Sequence, residues 1–225
     1  MNNCDNRPVG EIMSMNHEMS GENVAEELIK CGRSFYSRGW LYGTSGNLSA
    51  VLNINPLDIA ITRSGADKGN LSREDILGID SEMKVISGKG VPSSETLLHI
   101  TTIKVLKAGA VFHTHSVWST ILSDIYADAG KIELQGYEML KALKGVRSHD
   151  HLEIIPIFEN SQDMKSLSEA VKETMMLTKG IHAFLLRGHG LYTWGDTIND
   201  ARRTVEALEF LLEAKGRIMQ FKNIK

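Results

Sequence analysis

The stretch Ala110-Val111-Phe112-His113-Thr114-His115-Ser116 constrains this chain more than any other. It reads as a buried strand that ends in two histidines. Successive side chains on a strand point to opposite faces, so His113 and His115 share one face at the strand's exit. One H-x-H is a weak signal, because hydrogen-bonded histidines at a strand end give the same pattern. Here it is joined by Gly188-His189-Gly190, which follows a second apolar run, Ala183-Phe184-Leu185-Leu186. Two strands that each deliver histidine at their exit form the layout expected of a three-histidine metal site with an open position. The third histidine, framed by glycines, favours the metal reading.

A site of this kind needs a scaffold, and the rest of the chain supplies one. Its 225 residues, 42% of them hydrophobic, suffice for a sizeable core. Val24, Leu28, Cys31 and Phe35 recur at helical spacing within Ser20 to Arg38. Strands are expected over Leu48–Leu52, Leu57–Thr62, Lys131–Leu134, Glu153–Phe158 and Leu191–Trp194, with a strand or hairpin arm over Ile79–Ile86. Ser72-Arg73-Glu74-Asp75 is a capping-box pattern opening a short helix. Further helices are expected from Ser93 to near Gly109, from Val117 to about Tyr126, shortly after Gly136, over Asp163–Thr178 and over residues 197–222. No repeat or linker divides the chain. The expectation is a polar N-terminal tail over residues 1–19, then one α/β domain over 20–225. Its sheet should be mixed or mainly antiparallel, covered by helices.

Charge and composition exclude several partners. The net charge is −3, with acids and bases interspersed and no basic stripe, which argues against nucleic acid and anionic membranes. No apolar run approaches the length of a membrane span. Met1–Met19 lacks the pattern of a secretory signal. Cys4 and Cys31 form no C-x-x-C, which fits a reducing cytoplasm.

Three small polar loops precede the histidines: Thr44-Ser45-Gly46-Asn47, Thr62-Arg63-Ser64-Gly65, and Ser93-Ser94 at a helix start. Each alone could be a turn or a cap. Together they offer backbone N–H groups, hydroxyls and a helix N-terminus to an anion, which favours a phosphorylated small substrate. Two acids are candidates for proton transfer. Glu95 lies one turn before His99, at a helix start that should hold its carboxyl ionised. Glu138 sits between Tyr137 and Met139, where partial burial is expected to raise its pKa. His149-Asp150-His151 is a rival H-x-H, read as a solvated rim because it has no glycine-framed third ligand; His182 carries no special signal.

Five motifs in this order, Ser45-Gly46-Asn47-Leu48-Ser49, Thr62-x-Ser64-Gly65, Pro92-Ser93-Ser94-Glu95, His113-Thr114-His115 and Gly188-His189-Gly190, resemble the class II aldolase and adducin family. Asp67-Lys68-Gly69, Gln135 to Lys141, Ile155-Pro156-Ile157 with Asn160-x-Gln162-Asp163, and Arg187 to Gly195 resemble its dehydratases. The resemblance implies a single-domain three-layer α/β/α fold around a mainly antiparallel sheet, assembled as a homotetramer with sites near subunit interfaces. It implies a cytoplasmic hydro-lyase of methionine salvage that converts 5-methylthioribulose 1-phosphate to 5-methylthio-2,3-diketopentyl 1-phosphate and water. His113, His115 and His189 would hold one Zn2+ per subunit. Gly46, Asn47, Ser64, Gly65, Lys68, Ser93 and Ser94 would bind the phosphorylated ketose. Glu138 would be the acid/base, although Glu95 matches the acid/base of the family's aldolases and position alone does not choose between them. An aldolase or epimerase acting on fuculose or ribulose phosphate is the rival enzyme; an adducin-like interaction protein should have lost the histidines, and all three are present.

Overall fold

Among the described residues, nine strands account for the alternating and apolar runs. They are β1 (Asn47–Ile54), β2 (Leu57–Thr62), β3 (Ile76–Asp80), β4 (Val85–Ser87), β5 (Ala110–Thr114), β6 (Lys131–Leu134), β7 (Glu153–Phe158), β8 (Ala183–Leu186) and β9 (Gly190–Gly195). The computed structural model describes residues 21–222, so the tail expected over 1–19 lies outside the described residues. The strands form one sheet in the order β4-β3-β2-β1-β5-β9-β8-β7-β6. Neighbouring strands are antiparallel throughout, except that β7 and β8 run parallel. The sheet is therefore the mainly antiparallel one expected.

Among the described residues, five helices cover it: α1 (Gly21–Ser37), α2 (Thr96–Leu106), α3 (Val117–Ile125), α4 (Met164–Leu177) and α5 (Ile198–Lys222). Alternation along the strands assigns them to two faces. Leu48, Ala50, Ala60, Ala110 and Phe112 pack with α1 and the start of α5. The intervening Ile59, Ile61 and Val111 pack instead with α2. On the other half of the sheet, Ala183 and Leu185 join α3 and α5, while Phe184 and Leu186 join α2 and α4. The result is three layers, with α1, α3 and α5 on one face and α2 and α4 on the other. All five residues of β5 are buried, because helices cover both faces of this central strand.

Two expected helices are shorter than the sequence suggests. Ser72 and Asp75 do form a capping box, but it opens only a 3-10 turn, Arg73–Asp75. The segment after Gly136 is likewise a 3-10 turn, Glu138–Ala142. The segment Ile79–Ile86 is a hairpin, with Asp80 Oδ1 accepting from the Glu82 and Lys84 amides in its turn. Cys31 is a free, buried thiol, and burial pushes its pKa up to about 12. No helix among the described residues is long and apolar enough to cross a membrane.

Candidate metal centre and substrate cradle

Strand register builds the site. In the sheet, β5 lies between β1 and β9, and His113 is directly opposite Asn47 on one side and Tyr192 on the other. Directly opposed residues on one face have close side chains. The Tyr192 ring accordingly stacks on His113 with centroids 3.8 Å apart and planes at 12°. Phe184, opposite Tyr192 on β8, stacks on its other side at 4.6 Å. This ladder across three strands fixes the His113 ring. His189 enters from the turn between β8 and β9, and its amide donates to the Leu186 carbonyl. A side chain at Gly190 would run into the Thr114 carbonyl and crowd the His113 ring. The glycine after His189 therefore lets the two strands close on the site.

The three Nε2 atoms converge. His113 and His115 are 2.7 Å apart, His115 and His189 3.1 Å, and His113 and His189 3.3 Å. Nitrogens around a tetrahedral zinc with bonds of about 2.0–2.1 Å are separated by roughly 3.3 Å. The protonation states fit as well. His113 Nδ1 lies 3.1 Å from the Leu191 carbonyl, which only accepts, so Nδ1 carries the proton and Nε2 presents its lone pair. Burial, reinforced by repulsion from His115 and His189, holds His113 well below the usual imidazole range. Burial first, and His189 second, lower His115 to about 4. Neutral imidazoles with converging nitrogens are what a divalent cation requires.

Behind the strand, Thr114 points to the opposite face, where its hydroxyl donates to Glu209 on α5 at 2.5 Å. Glu209 is 2% exposed, and its Oε2 has no partner. Sequence reasoning missed it; a lone glutamate inside an amphipathic helix gives no signal. Burial pushes its pKa up to about 7, against the smaller effects of the Ser116 and Thr114 hydroxyls. A carboxyl whose folded pKa is raised loses stability as pH climbs from its unfolded pKa to its folded one. Glu209→Gln is therefore expected to gain stability over the wild type as pH rises from about 4.5 to about 7. The full difference, on the order of 3 kcal/mol, should persist above that window. Melting temperatures of both proteins across pH 4.5–8 check it; a constant difference would remove the buried-carboxyl account.

A cavity of about 130 Å³ opens beside the histidines, bounded by Thr44, Ser45, Gly46, Asn47, Thr62, Arg63, Ser64, Gly65, Lys68, Ser93, Glu95 and His115. Six of the seven predicted substrate contacts are there. Ser94 is exposed and is not part of the lining. Gly46 has φ +69°, and a Cβ there would strike the Leu41 side chain and the His113 carbonyl, so the loop lies tight on β5. Lys68 is 1% exposed and donates to the Thr44 and Ala66 carbonyls at 3.1 and 2.8 Å. That leaves one ammonium N–H for a ligand. Burial lowers its pKa to about 8. Ser45 Oγ and Asn47 Oδ1 are buried without protein partners. Arg63, part of a predicted anion loop but not one of the individual predicted contacts, also borders the cavity, paired with Asp75 at 2.8 Å.

The two candidate acids part company. Glu95 reaches the histidines: its Oε1 lies 3.1 Å from His189 Nε2, its Oε2 3.8 Å from His113 Nε2, and Asn47 Nδ2 donates to Oε2 at 3.1 Å. It precedes the first turn of α2. Burial pushes its carboxyl up, but the His189 hydrogen bond and the electrostatic attraction of the His189, His115 and His99 rings outweigh this and lower it. The expected direction holds, with the imidazoles as its cause. Glu138 departs from expectation. Its side chain is 73% exposed and pairs with Lys141 at 2.5 Å, which lowers its pKa rather than raising it. The turn Glu138–Ala142 buries Leu140 alone and leaves Glu138 outward, where the flanking Tyr137 and Met139 do not cover it. Within one chain, Glu138 is not brought to the three histidines.

The profile of the class II aldolase and adducin N-terminal domain matches residues 26–215, and the chain belongs to that family. Among its relatives, the methylthioribulose-1-phosphate dehydratase of Methylococcus capsulatus is 42% identical over 203 residues, which cover 90% of this chain and 97% of the relative. That of Pseudomonas syringae pv. syringae is 39% identical over 206 residues, 91% of this chain and 100% of the relative. Among solved structures, an L-fuculose 1-phosphate aldolase superposes with TM-score 0.73 at 26% identity, covering 91% of this chain and 90% of that one.

Proposed function

We propose that this chain is a cytoplasmic Zn2+-dependent dehydratase of methionine salvage. It would remove water from 5-methylthioribulose 1-phosphate and leave 5-methylthio-2,3-diketopentyl 1-phosphate. The reading rests on one observation above all: His115 and Glu95 border the same cavity as Lys68, Ser45 and Asn47. An anion cradle thus adjoins a metal-type histidine cluster. The relatives named methylthioribulose-1-phosphate dehydratase support the same substrate. His113, His115 and His189 would hold the metal, which when bound supplies a Lewis acid for the substrate's oxygens.

The chain's own groups do the rest. Lys68, the Ser45 and Ser64 hydroxyls, Asn47, Ser93 and the backbone at Gly46 and Gly65 hold the phosphate, fixing the sugar at one end. The proton on C3 is acidified by the neighbouring carbonyl. An acid/base glutamate removes it and helps protonate the departing C4 hydroxyl, so that water leaves and the enol becomes the second ketone. Glu138 is our assignment for this role. Because its carboxylate faces solvent in the single chain, the assignment requires delivery from a neighbouring subunit, which accords with a homotetramer whose sites lie near interfaces.

Product analysis is the direct test. Dehydration keeps the carbon chain intact, whereas the rival aldolase reading, which the proximity of Glu95 to His189 favours, gives two fragments. Recovery of two fragments from the ketose phosphate would reverse the assignment. The cradle has its own expected result. Ser93→Ala and Asn47→Ala should raise KM for the phosphorylated ketose by roughly tenfold, consistent with a charge-assisted hydrogen bond of about 1.5 kcal/mol. The unphosphorylated sugar should react far more slowly; equal reaction of the two sugars would show that no phosphate is held.

A further inference from the structure

The strand whose exit carries His189 has a second group of possible ligands at its opposite end. His151 precedes β7, Glu153 begins it, and His182 precedes β8. Since β7 and β8 are parallel, these starts lie at the same end of the sheet. The sequence gives this group no prominence. The structure sends His149 and Asp150 to solvent, at 55% and 80% exposure, but turns His151 onto Glu153.

Glu153 is 2% exposed, and its Oε2 lies 2.9 Å from His151 Nε2 and 3.0 Å from His182 Nδ1. Hydrogen accounting makes the arrangement informative. His182 Nε2 lies 2.9 Å from the Lys144 carbonyl. A carbonyl only accepts, so Nε2 carries a proton, and a neutral ring then aims the Nδ1 lone pair at a carboxylate oxygen. Two acceptors at that distance need a positive partner between them. A proton on His182 would satisfy Oε2 but leave Oε1, which is buried and has no partner. A cation held among the three groups supplies the positive partner at Oε2, and the unpartnered Oε1 leaves the carboxylate a second acceptor for it. One ligand atom from each residue lies within 4.8 Å of the others.

We infer that His151, Glu153 and His182 form a second divalent-cation site, structural in role and separate from the candidate metal centre. Two imidazoles and a carboxylate suit zinc or another first-row ion, with water in the open position. Half-exposed His151 gives the entry side. The site also has mechanical work to do. The β7–β8 pairing covers only Ile157 with Leu185 and Phe158 with Leu186, near the strands' far ends. An ion joining Glu153 and His151 to His182 would tie the two strands where the ladder is missing.

The test uses full-length protein carrying His115→Ala and His189→Ala, which disarms the other cluster. After loading with Zn2+ and dialysis, this protein should retain one ion per chain by elemental analysis, and its melting temperature should rise with Zn2+ concentration. Adding His151→Ala, a change at a partly exposed position, should remove both the ion and the zinc-dependent rise. Co2+ loading offers an independent readout: visible absorption bands present in the double variant and absent after His151→Ala. Circular dichroism establishes that each protein is folded before comparison. No retained zinc, no cobalt bands and a zinc-independent melting temperature in the folded double variant would overturn the inference and leave a proton-held ion pair at Glu153.

Discussion

His115→Ala is expected to lose the metal of the three-histidine centre, one ion per chain fewer than the wild type, and essentially all turnover while keeping its fold. The ring supplies one of three converging nitrogens, 2.7 and 3.1 Å from the other two. Alanine leaves two imidazoles, too few for a tight site. Losing the Lewis acid removes several kcal/mol of transition-state stabilisation, and about 4 kcal/mol already corresponds to roughly a 10³-fold fall in kcat. The fold should survive because His115 follows the end of β5 and belongs to none of the four apolar clusters. Elemental analysis and single-turnover rates check both halves; a variant with wild-type metal content would dismantle the centre. The same rings set an acid limit on the metal-free protein. Burial lowers folded His115 to about 4 against an ordinary 6.5, and it holds folded His113 well below 6.5 as well. The unfolded chain therefore takes up protons first as pH falls below about 6.5. Stability should decline from there toward pH 4 and be steadier above.

Period and spacing made much of this legible. His113 and His115 share a face because strands repeat every two residues, and the glycines framing His189 favoured the metal reading, although only the structure shows that Gly190 lies against the Thr114 carbonyl. The small loops could be read together because each carries groups that bind anions, and Lys68 came with them through its motif. What stayed hidden depends on which distant residue covers which. Glu138 lies between two apolar residues in the chain, yet neither shields it, since a 3-10 turn buries Leu140 instead. Glu209 looks like any helical glutamate until α5 is laid across β5, and the His151–Glu153–His182 group exists only because β7 and β8 run parallel. Such proximity has no local signature in the sequence.

The proton-transfer step separates the two glutamates. Glu138→Gln is expected to lose at least about 10² in kcat with metal retained, the usual cost of removing a general acid/base. Glu95→Gln should be milder and act partly through metal affinity, because Glu95 lies 3.1 and 3.8 Å from two of the histidine Nε2 atoms. The exposure of Glu138 adds a stronger expectation. With 73% of its side chain in solvent and Lys141 as its ion-pair partner, it would have to act on the histidine cluster of a neighbouring copy. Glu138→Gln and His115→Ala chains, each inactive alone, should then complement one another when co-assembled. A site is complete when the metal comes from the first chain and the carboxylate from the second, so random mixing should restore about a quarter of the sites. Mixed assemblies that remain dead would place the working acid within the same chain. Combined with a Glu95→Gln protein that holds its metal and does not turn over, that result would transfer the acid/base role to Glu95 and make the aldolase-type reaction the better account of this cavity.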